Sequence, residues 1–416
     1  MTAFETIAAI VSVSALFAYL NHRWLRQPAS VALMALSLSL SLACIAVDRM
    51  GWIPLRDVAT RALERVDFNQ ALMHGMLGLL LFAGSLHVKL EDLRRQRIAI
   101  AALALVSTLL STFLVGAIAR VVSGTFGLGL TMGQCMLFGA LISPTDPVAV
   151  LDILRQARVP KSMEIQIAGE SLFNDGVGVV VFATIYGIVA RGHAATFDET
   201  ILHFAREAIG GALFGLALGY ITFRLLRSID HYQTELLLTL ALVLGGYSLA
   251  EKLHISAAIA AVTSGLVIGN YGRTEGMSDV TRDHLDKFWS LIDEVLNAAL
   301  FVMLGLEGMR LDAPRGVVWA SLAVIPAVLA ARLVSVALPL AAVSRYASFG
   351  RGTLTVLTWG GLRGGISVAL ALSIPAGEAR NTIVVLTYVV VVFSILVQGL
   401  SLGTIARRFA AERQRP

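Results

Sequence analysis

Apolar runs of about twenty residues follow one another from position 4 to position 404, with only short polar breaks between them. A helix needs about 20 mostly apolar residues to cross a hydrocarbon core about 30 Å thick, so the pattern predicts a chain that crosses a membrane many times. Composition agrees. Hydrophobic residues make up 56% of the 416 positions and charged residues 15%, against about 45–50% and about 25% in soluble domains. Ordinary globular cores cannot hide such an excess, which excludes a soluble protein and predicts an all-α polytopic membrane protein.

Reading runs against breaks predicts about thirteen transmembrane helices, near 4–20, 29–47, 70–88, 98–119, 130–153, 163–190, 204–223, 234–250, 254–270, 287–306, 316–341, 352–374 and 381–404. Residues 1–404 then form one membrane domain, and 405–416 a short cytoplasmic tail. Arg23 and Arg26 follow the first run and no basic residue precedes it. That order is the reverse of a signal peptide, so the first run is a retained span. With the N-terminus outside, the inward connections carry 20 Lys and Arg and the outward ones 11, which predicts an external N-terminus and a cytoplasmic C-terminus. The net charge of +5 then belongs to cytoplasmic loops, and nucleic acid is not an expected partner. The stretch Asp48–Asp67 balances four arginines with four acids on the outer side and reads as an interfacial helix.

An odd number of spans has a further consequence. Spans one to six (4–190) and eight to thirteen (234–404), joined by a lone seventh (204–223), would form two six-helix repeats of inverted topology. The fifth and twelfth spans then correspond, and both are interrupted: LFGALISPTDPVAV and LTWGGLRGGISVAL. Broken crossing helices at matching positions of inverted halves mark a transporter's binding site.

Charge at the bilayer centre costs about 2.5–3.5 kcal/mol even on insertion scales, so each intramembrane charge demands a role. Asp146 lies between Pro144 and Pro147. Proline lacks an N–H, so Pro147 frees the Ser143 carbonyl and Pro144 that of Ala140. Freed carbonyls, the Thr145 hydroxyl and the Asp146 carboxylate are hard oxygen ligands suited to a monovalent cation. In the sixth span Glu170 and Asn174 are four apart, as are Ser171 and Asp175, so each pair shares a helix face. Asp175 lies roughly 18 Å into its span at ~1.5 Å per residue, near the midplane. Among 33 Lys and Arg, Arg206 and Lys287 stand at the very ends of spans and two fall deep inside them, Arg332 and Arg363. Three acids (Asp146, Glu170, Asp175) against two arginines leave one carboxylate, which a proton or a metal cation can neutralise in turn.

The residues fit two other classes less well. A cation channel uses the same oxygen ligands without counter-movement of protons. An aspartyl enzyme would use Asp146 and Asp175 as a dyad, but two nearby arginines and flanking prolines suit ion coordination and helix breaking better. The chain is therefore not expected to be an enzyme or to need a cofactor.

SPTDPVAV, GESLFNDGVGVVVF, FVMLGLE, Arg332 within ARLVSV and GGLRGGISVALALSIP occur in this order. Together they resemble the sodium/proton exchanger branch of the monovalent cation/proton antiporters, across nearly the whole transmembrane region. The resemblance implies exchange of Na⁺, or of K⁺ or Li⁺, for H⁺, with Asp175 alternately protonated and cation-bound and Asn174 beside it. It implies Asp146, Thr145 and Ser171 as further Na⁺ ligands, a structural pair Glu170–Arg332, and Arg363 as the arginine of the partner crossing helix. A single exchanging carboxylate preceded by Asn implies electroneutral exchange; a K⁺/H⁺ antiporter of the same fold is the alternative. It further implies a homodimer, surrounded by lipid in the cell's inner membrane, that serves pH homeostasis. One departure stands out: many members carry an acid in the third span where this chain has Ala83.

Other features have plainer readings. The histidines show no metal-ligand spacing, though His74 and His87 are placed to tune a pH response. Gly211, Gly215 and Gly219 form a small-residue stripe for internal packing or a dimer interface. Trp52, Trp289 and Trp319, near predicted span ends, read as interfacial anchors.

Overall fold

The computed structural model describes residues 3–50, 70–157, 159–191, 197–311, 314–345 and 352–412. The helices, in chain order, are α1 Ala3–Leu20, α2 Ala29–Arg49, α3 Leu77–Leu86, α4 Leu90–Thr125, α5 Met132–Ile142, α6 Pro147–Ala157, α7 Lys161–Arg191 and α8 Phe197–Leu226. Then come α9 Tyr232–Lys252, α10 Ala257–Val267, α11 Asp279–Glu307, α12 Arg315–Val343, α13 Thr353–Trp359, α14 Gly365–Leu372, α15 Glu378–Phe393 and α16 Gly399–Glu412. No strand occurs among the described residues. The proposed interfacial helix at Asp48–Asp67 falls mostly outside them, and Trp52 lies outside them.

Nine helices among the described residues are long and apolar enough to cross a membrane. They coincide with nine of the expected spans, and the other four expected spans are shorter or interrupted. The third is a π-helical turn, Ala71–Met76, followed by α3, and the ninth is α10 followed by a π-helical stretch, Ile268–Gly276. The fifth is the pair of half-helices α5 and α6, and the twelfth is α13 and α14. Further π turns occur within α4, at Ala102–Ser107, and between α15 and α16, at Ser394–Gln398.

Helix starts follow from local chemistry. Thr131 and Gln134 form a capping box ahead of α5, with Thr131 N–H donating to Gln134 Oε1 at 2.9 Å. Ser256 and Ser278 accept backbone N–H groups at the starts of α10 and α11. The largest apolar core gathers around α5, with Phe138 and Leu141 packed among Phe301 and Leu304 of α11, Val368 of α14 and Val384 of α15. The half-helices are therefore held at the centre of the bundle.

The glycine stripe of α8 packs inward. A Cβ at Gly211 would meet the Ser256 carbonyl, and one at Gly219 the Ser264 backbone, so the stripe lets α8 approach α10 closely. Trp319 is exposed, as an interfacial anchor would be, but Trp289 is fully buried. Its Nε1 donates to Thr239 Oγ1 at 3.1 Å and its ring lies 4.7 Å from that of Phe82. The anchor reading of Trp289 is thus corrected: α11 extends beyond the expected span at its N-terminal end, which places this ring inside the bundle.

Candidate functional site

The site is built where the two broken helices meet. α5 ends at Ile142 and the chain stays non-helical from Ser143 to Asp146. Pro144 and Pro147 withhold N–H groups there, and Pro147 opens α6, where its missing donor costs nothing. On the other crossing segment α13 ends at Trp359, Gly360 caps it in a helical conformation, and the chain is non-helical from Gly361 to Gly364 before α14. Asp146 N–H donates to the Leu362 carbonyl at 2.8 Å, which stitches one interruption to the other.

The Ser143 carbonyl freed by Pro147 does not face open space. Arg363 Nη1 donates to it at 2.5 Å and to the Pro144 carbonyl at 2.9 Å. The guanidinium is buried and its backbone N–H donates to Ser394 Oγ at 3.0 Å. The sequence reading treated the freed Ser143 carbonyl as an oxygen ligand, whereas here it is occupied by the arginine expected to neutralise a second acid.

Arg332 pairs with Glu170. Its Nη1 lies 2.6 Å from Glu170 Oε1, with both side chains buried. Its Nη2 donates to the Leu357 carbonyl at 3.1 Å, so the pair anchors α7 to α12 and to the end of α13.

Asn174, Thr145 and Ser171 form a second buried cluster. Asn174 Nδ2 donates to Thr145 Oγ1 at 2.8 Å, and Asn174 Oδ1 accepts Thr145 N–H at 3.4 Å. Thr145 Oγ1 and Ser171 Oγ lie 3.0 Å apart. Both amide heteroatoms of Asn174 are spent holding the unwound chain against α7. Gly178 makes the approach possible, because a Cβ there would collide with the Pro144 ring.

Asp175 and Asp146 open onto one cavity of about 500 Å³, which Thr145 also lines. Ser171, Asn174, Glu170, Arg332 and Arg363 do not line it. Asp175 is only 5% exposed, and Asp146 is half-buried. The far wall comes from α11, where Ser290, Asp293 and Asn297 face the same space, with His87 and Arg155 also lining it. Asn297 Nδ2 donates to Asp293 Oδ1 at 3.0 Å and to its carbonyl at 2.9 Å. This polar wall was not anticipated, although positions 290, 293 and 297 share one helix face and that spacing was legible. Ala83 is buried beside Phe82 and Trp289 and does not line the cavity, whereas Leu80, Gly84 and His87 do. Among the described residues no group of three or more His, Cys, Asp or Glu side chains gathers to hold a metal ion.

An all-helical bundle with two interrupted helices stitched at their breaks, and carboxylates at the junction facing a cavity, has the architecture of a secondary ion transporter. The fold matches that of the sodium proton antiporter MjNhaP1 from Methanocaldococcus jannaschii, with a TM-score of 0.77 at 20% identity over 98% of this chain and 99% of that one. The family described as sodium/hydrogen exchanger, transmembrane, matches residues 12–408. The chain is 48% identical to the Na⁺/H⁺ antiporter NhaP of Pseudomonas aeruginosa, covering 98% of this chain and 97% of that protein. It is 36% identical to the Na⁺/H⁺ antiporter NhaH of Halobacillus dabanensis, covering 92% of each. This chain belongs to the sodium/hydrogen exchanger family.

Proposed function

We propose that the chain exchanges Na⁺ for H⁺ across the cell's inner membrane, one for one, with Asp175 carrying the proton and the cation in turn. The observation that carries this reading is the shared cavity. Asp175 and Asp146 both open onto it at the junction of the broken helices, while Glu170 is held by Arg332. A carboxylate with so little exposure is neutralised either by a proton or by a cation. The two ligands therefore compete, and competition at one site is what antiport requires. Asp146 and Thr145 line the same space as additional oxygen ligands. Ser171, expected as a further ligand, stands outside that space and serves the site by holding the Thr145 hydroxyl at 3.0 Å.

Stoichiometry follows from position 174. Asn174 is a neutral amide with both heteroatoms engaged by Thr145, so it adds no charge in either state. One carboxylate then trades one proton for one monovalent cation, and the cycle moves no net charge. The broken segments at the fifth and twelfth positions support thirteen spans in two inverted repeats, 4–190 and 234–404, around a linking span at 204–223. The Lys and Arg distribution supports an external N-terminus and a cytoplasmic tail. In this reading the protein works as a homodimer that contributes to pH homeostasis.

The test uses the full chain in proteoliposomes with an internal pH dye, adding Na⁺, Li⁺ and K⁺ in turn. Na⁺ is expected to drive proton movement at a rate unchanged when the membrane potential is clamped. Asp175→Asn is expected to lose that movement and keep its elution profile. Undiminished exchange by this variant removes Asp175 from the mechanism, and a rate that follows the clamp rules out one-for-one exchange.

A further inference from the structure

A second concavity lies on the bundle surface, away from the carboxylates. It is an apolar groove of about 360 Å³ between α4, α7 and α10. Its walls include Leu93, Ile100 and Leu105 of α4, Phe173 and Val177 of α7, and Leu266 of α10. From Leu90 to Leu105 it follows α4 for roughly 22 Å at ~1.5 Å per residue. The same groove is lined by Arg94 and Arg97, both exposed. Among the described residues neither makes an ion pair, whereas neighbouring Arg95 is held by Glu91 at 2.7 Å.

The two arginines stand at a definite depth. From Ile98 to Ala119 the helix has no charged residue, so Arg97 is the last charge before α4 enters the hydrocarbon. Phe173 and Val177 flank Asp175 in sequence and lie well inside the spanning part of α7. An occupant must therefore be apolar along its length and anionic where it meets the headgroup layer. A free phosphate cannot fill the apolar part, and a water-soluble peptide cannot reach the wall at Phe173.

We infer that this groove binds an anionic phospholipid, with an acyl chain lying between α4, α7 and α10 and the phosphate held by Arg94 and Arg97. Arg94 and Arg97 are three apart and so share a helix face, which lets two guanidinium groups converge on one phosphate as charge-assisted donors. The lipid would sit beside the seam where α7 meets α10. A Cβ at Gly176 would come 2.8 Å from Ile259 Cγ1, so these helices touch through a residue without a side chain. The adjacent groove is the gap that this contact leaves open along α7. A chain filling it contacts the helix that carries Asp175 from the face opposite the ion cavity.

The site is read by binding, independently of ion exchange, so its failure and that of the antiport reading are separable. The delipidated full chain is titrated in detergent with phosphatidylglycerol, or with phosphatidylcholine as the zwitterionic control. Retained lipids are counted by native mass spectrometry and unfolding is followed thermally. Phosphatidylglycerol is expected to be retained preferentially and to raise the unfolding temperature by several degrees beyond phosphatidylcholine. The double variant Arg94→Gln, Arg97→Gln is expected to lose that preference by about tenfold or more, since each basic residue near the surface adds roughly a kilocalorie of attraction to anionic lipid. Arg407→Gln with Arg408→Gln, which removes the same charge from the exposed end of α16, is expected to keep it. Ala101→Trp, which fills the groove and leaves both arginines in place, is expected to lose it. Equal preference in the wild type and the Arg94/Arg97 variant overturns the proposal, as does retention by Ala101→Trp. It also falls if glycerol phosphate alone reproduces the shift, or if the lipid changes the oligomeric state so that a second copy covers the groove. A variant whose unfolding temperature in phosphatidylcholine is already depressed is judged on the lipid count alone.

Discussion

The two interruptions at the centre of the bundle do the same mechanical job with different chemistry. The first, Ser143–Asp146, is broken by prolines, which remove donors and leave carbonyls without helical partners. The second, Gly360–Gly364, is broken by glycines, which bring space rather than loose acceptors. A Cβ at Gly361 would come 2.6 Å from Arg332 Nε, and one at Gly364 would come 2.5 Å from Asp146 Oδ2. One break supplies acceptors and a carboxylate, and the other supplies the Arg363 donor and room for that carboxylate. Neither would be satisfied alone, which explains why they are found stitched together.

The largest expected effect comes from loosening the second break at its anchor. Glu170→Ala or Arg332→Ala leaves a buried charge without its partner, a loss of about 3–5 kcal/mol, read as a large drop in unfolding temperature. If the two residues act as a pair, the double variant is no less stable than the worse single one; additive losses would mean that they act separately.

Next comes the link between the breaks. Arg363→Gln withdraws the charged donor from the Ser143 and Pro144 carbonyls, and each buried acceptor left unmade costs about 1–3 kcal/mol. Stability and exchange should fall together. Arg363→Lys should recover part of the stability, because an ammonium keeps the charge and can donate to both carbonyls but sits on a shorter stem than Nη1 does. A glutamine variant as stable as the wild type would show that the carbonyls find other donors.

The smallest effect separates space from stability. At Gly364 an added methyl would meet Asp146 Oδ2 and also come 2.8 Å from Asp146 Cβ; turning the carboxylate relieves the first contact but not the second, so Gly364→Ala pushes the two breaks apart at a cost of about 1–3 kcal/mol. The Na⁺ concentration for half-maximal exchange should rise about threefold to tenfold, with a smaller drop in unfolding temperature than either change above. A large loss of stability with unchanged Na⁺ dependence would make Gly364 a packing residue only.

Much of this arrangement was legible in the sequence. Hydropathy placed the long helices because lipid imposes a length and an apolar composition on each. The breaks showed because two prolines flanking an acid, or glycines clustered around an arginine, interrupt an apolar run in a way that a packing stripe of spaced glycines does not. Counting charges allowed two neutral pairs and the resemblance named Glu170–Arg332 as one of them, but the count misread Arg363, since a count of acids and bases does not register backbone carbonyls as partners. The count of three intramembrane acids does not include Asp293, although Ser290 and Asn297 share its helix face and mark it as a cavity wall. Trp289 was misplaced because residue type suggests an interface without revealing what a longer helix packs against.

The π turns had no sequence signal, and the last has a consequence for how this helix tolerates change. Ser394–Gln398 fits one more residue than an α-helix would into the same rise. It points Ser394 at the Arg363 N–H, while Gln398 Nε2 reaches the Trp359 carbonyl at 3.0 Å. Beyond it, Leu402 and Ala406 return fully buried to the side of α6. For this helix the place of a one-residue deletion decides its effect: within Ser394–Gln398 it closes the wide turn to an α turn and keeps Leu402 and Ala406 on their packing surface, whereas beyond Gln398 it turns the residues after it by about 100° and carries them off that surface.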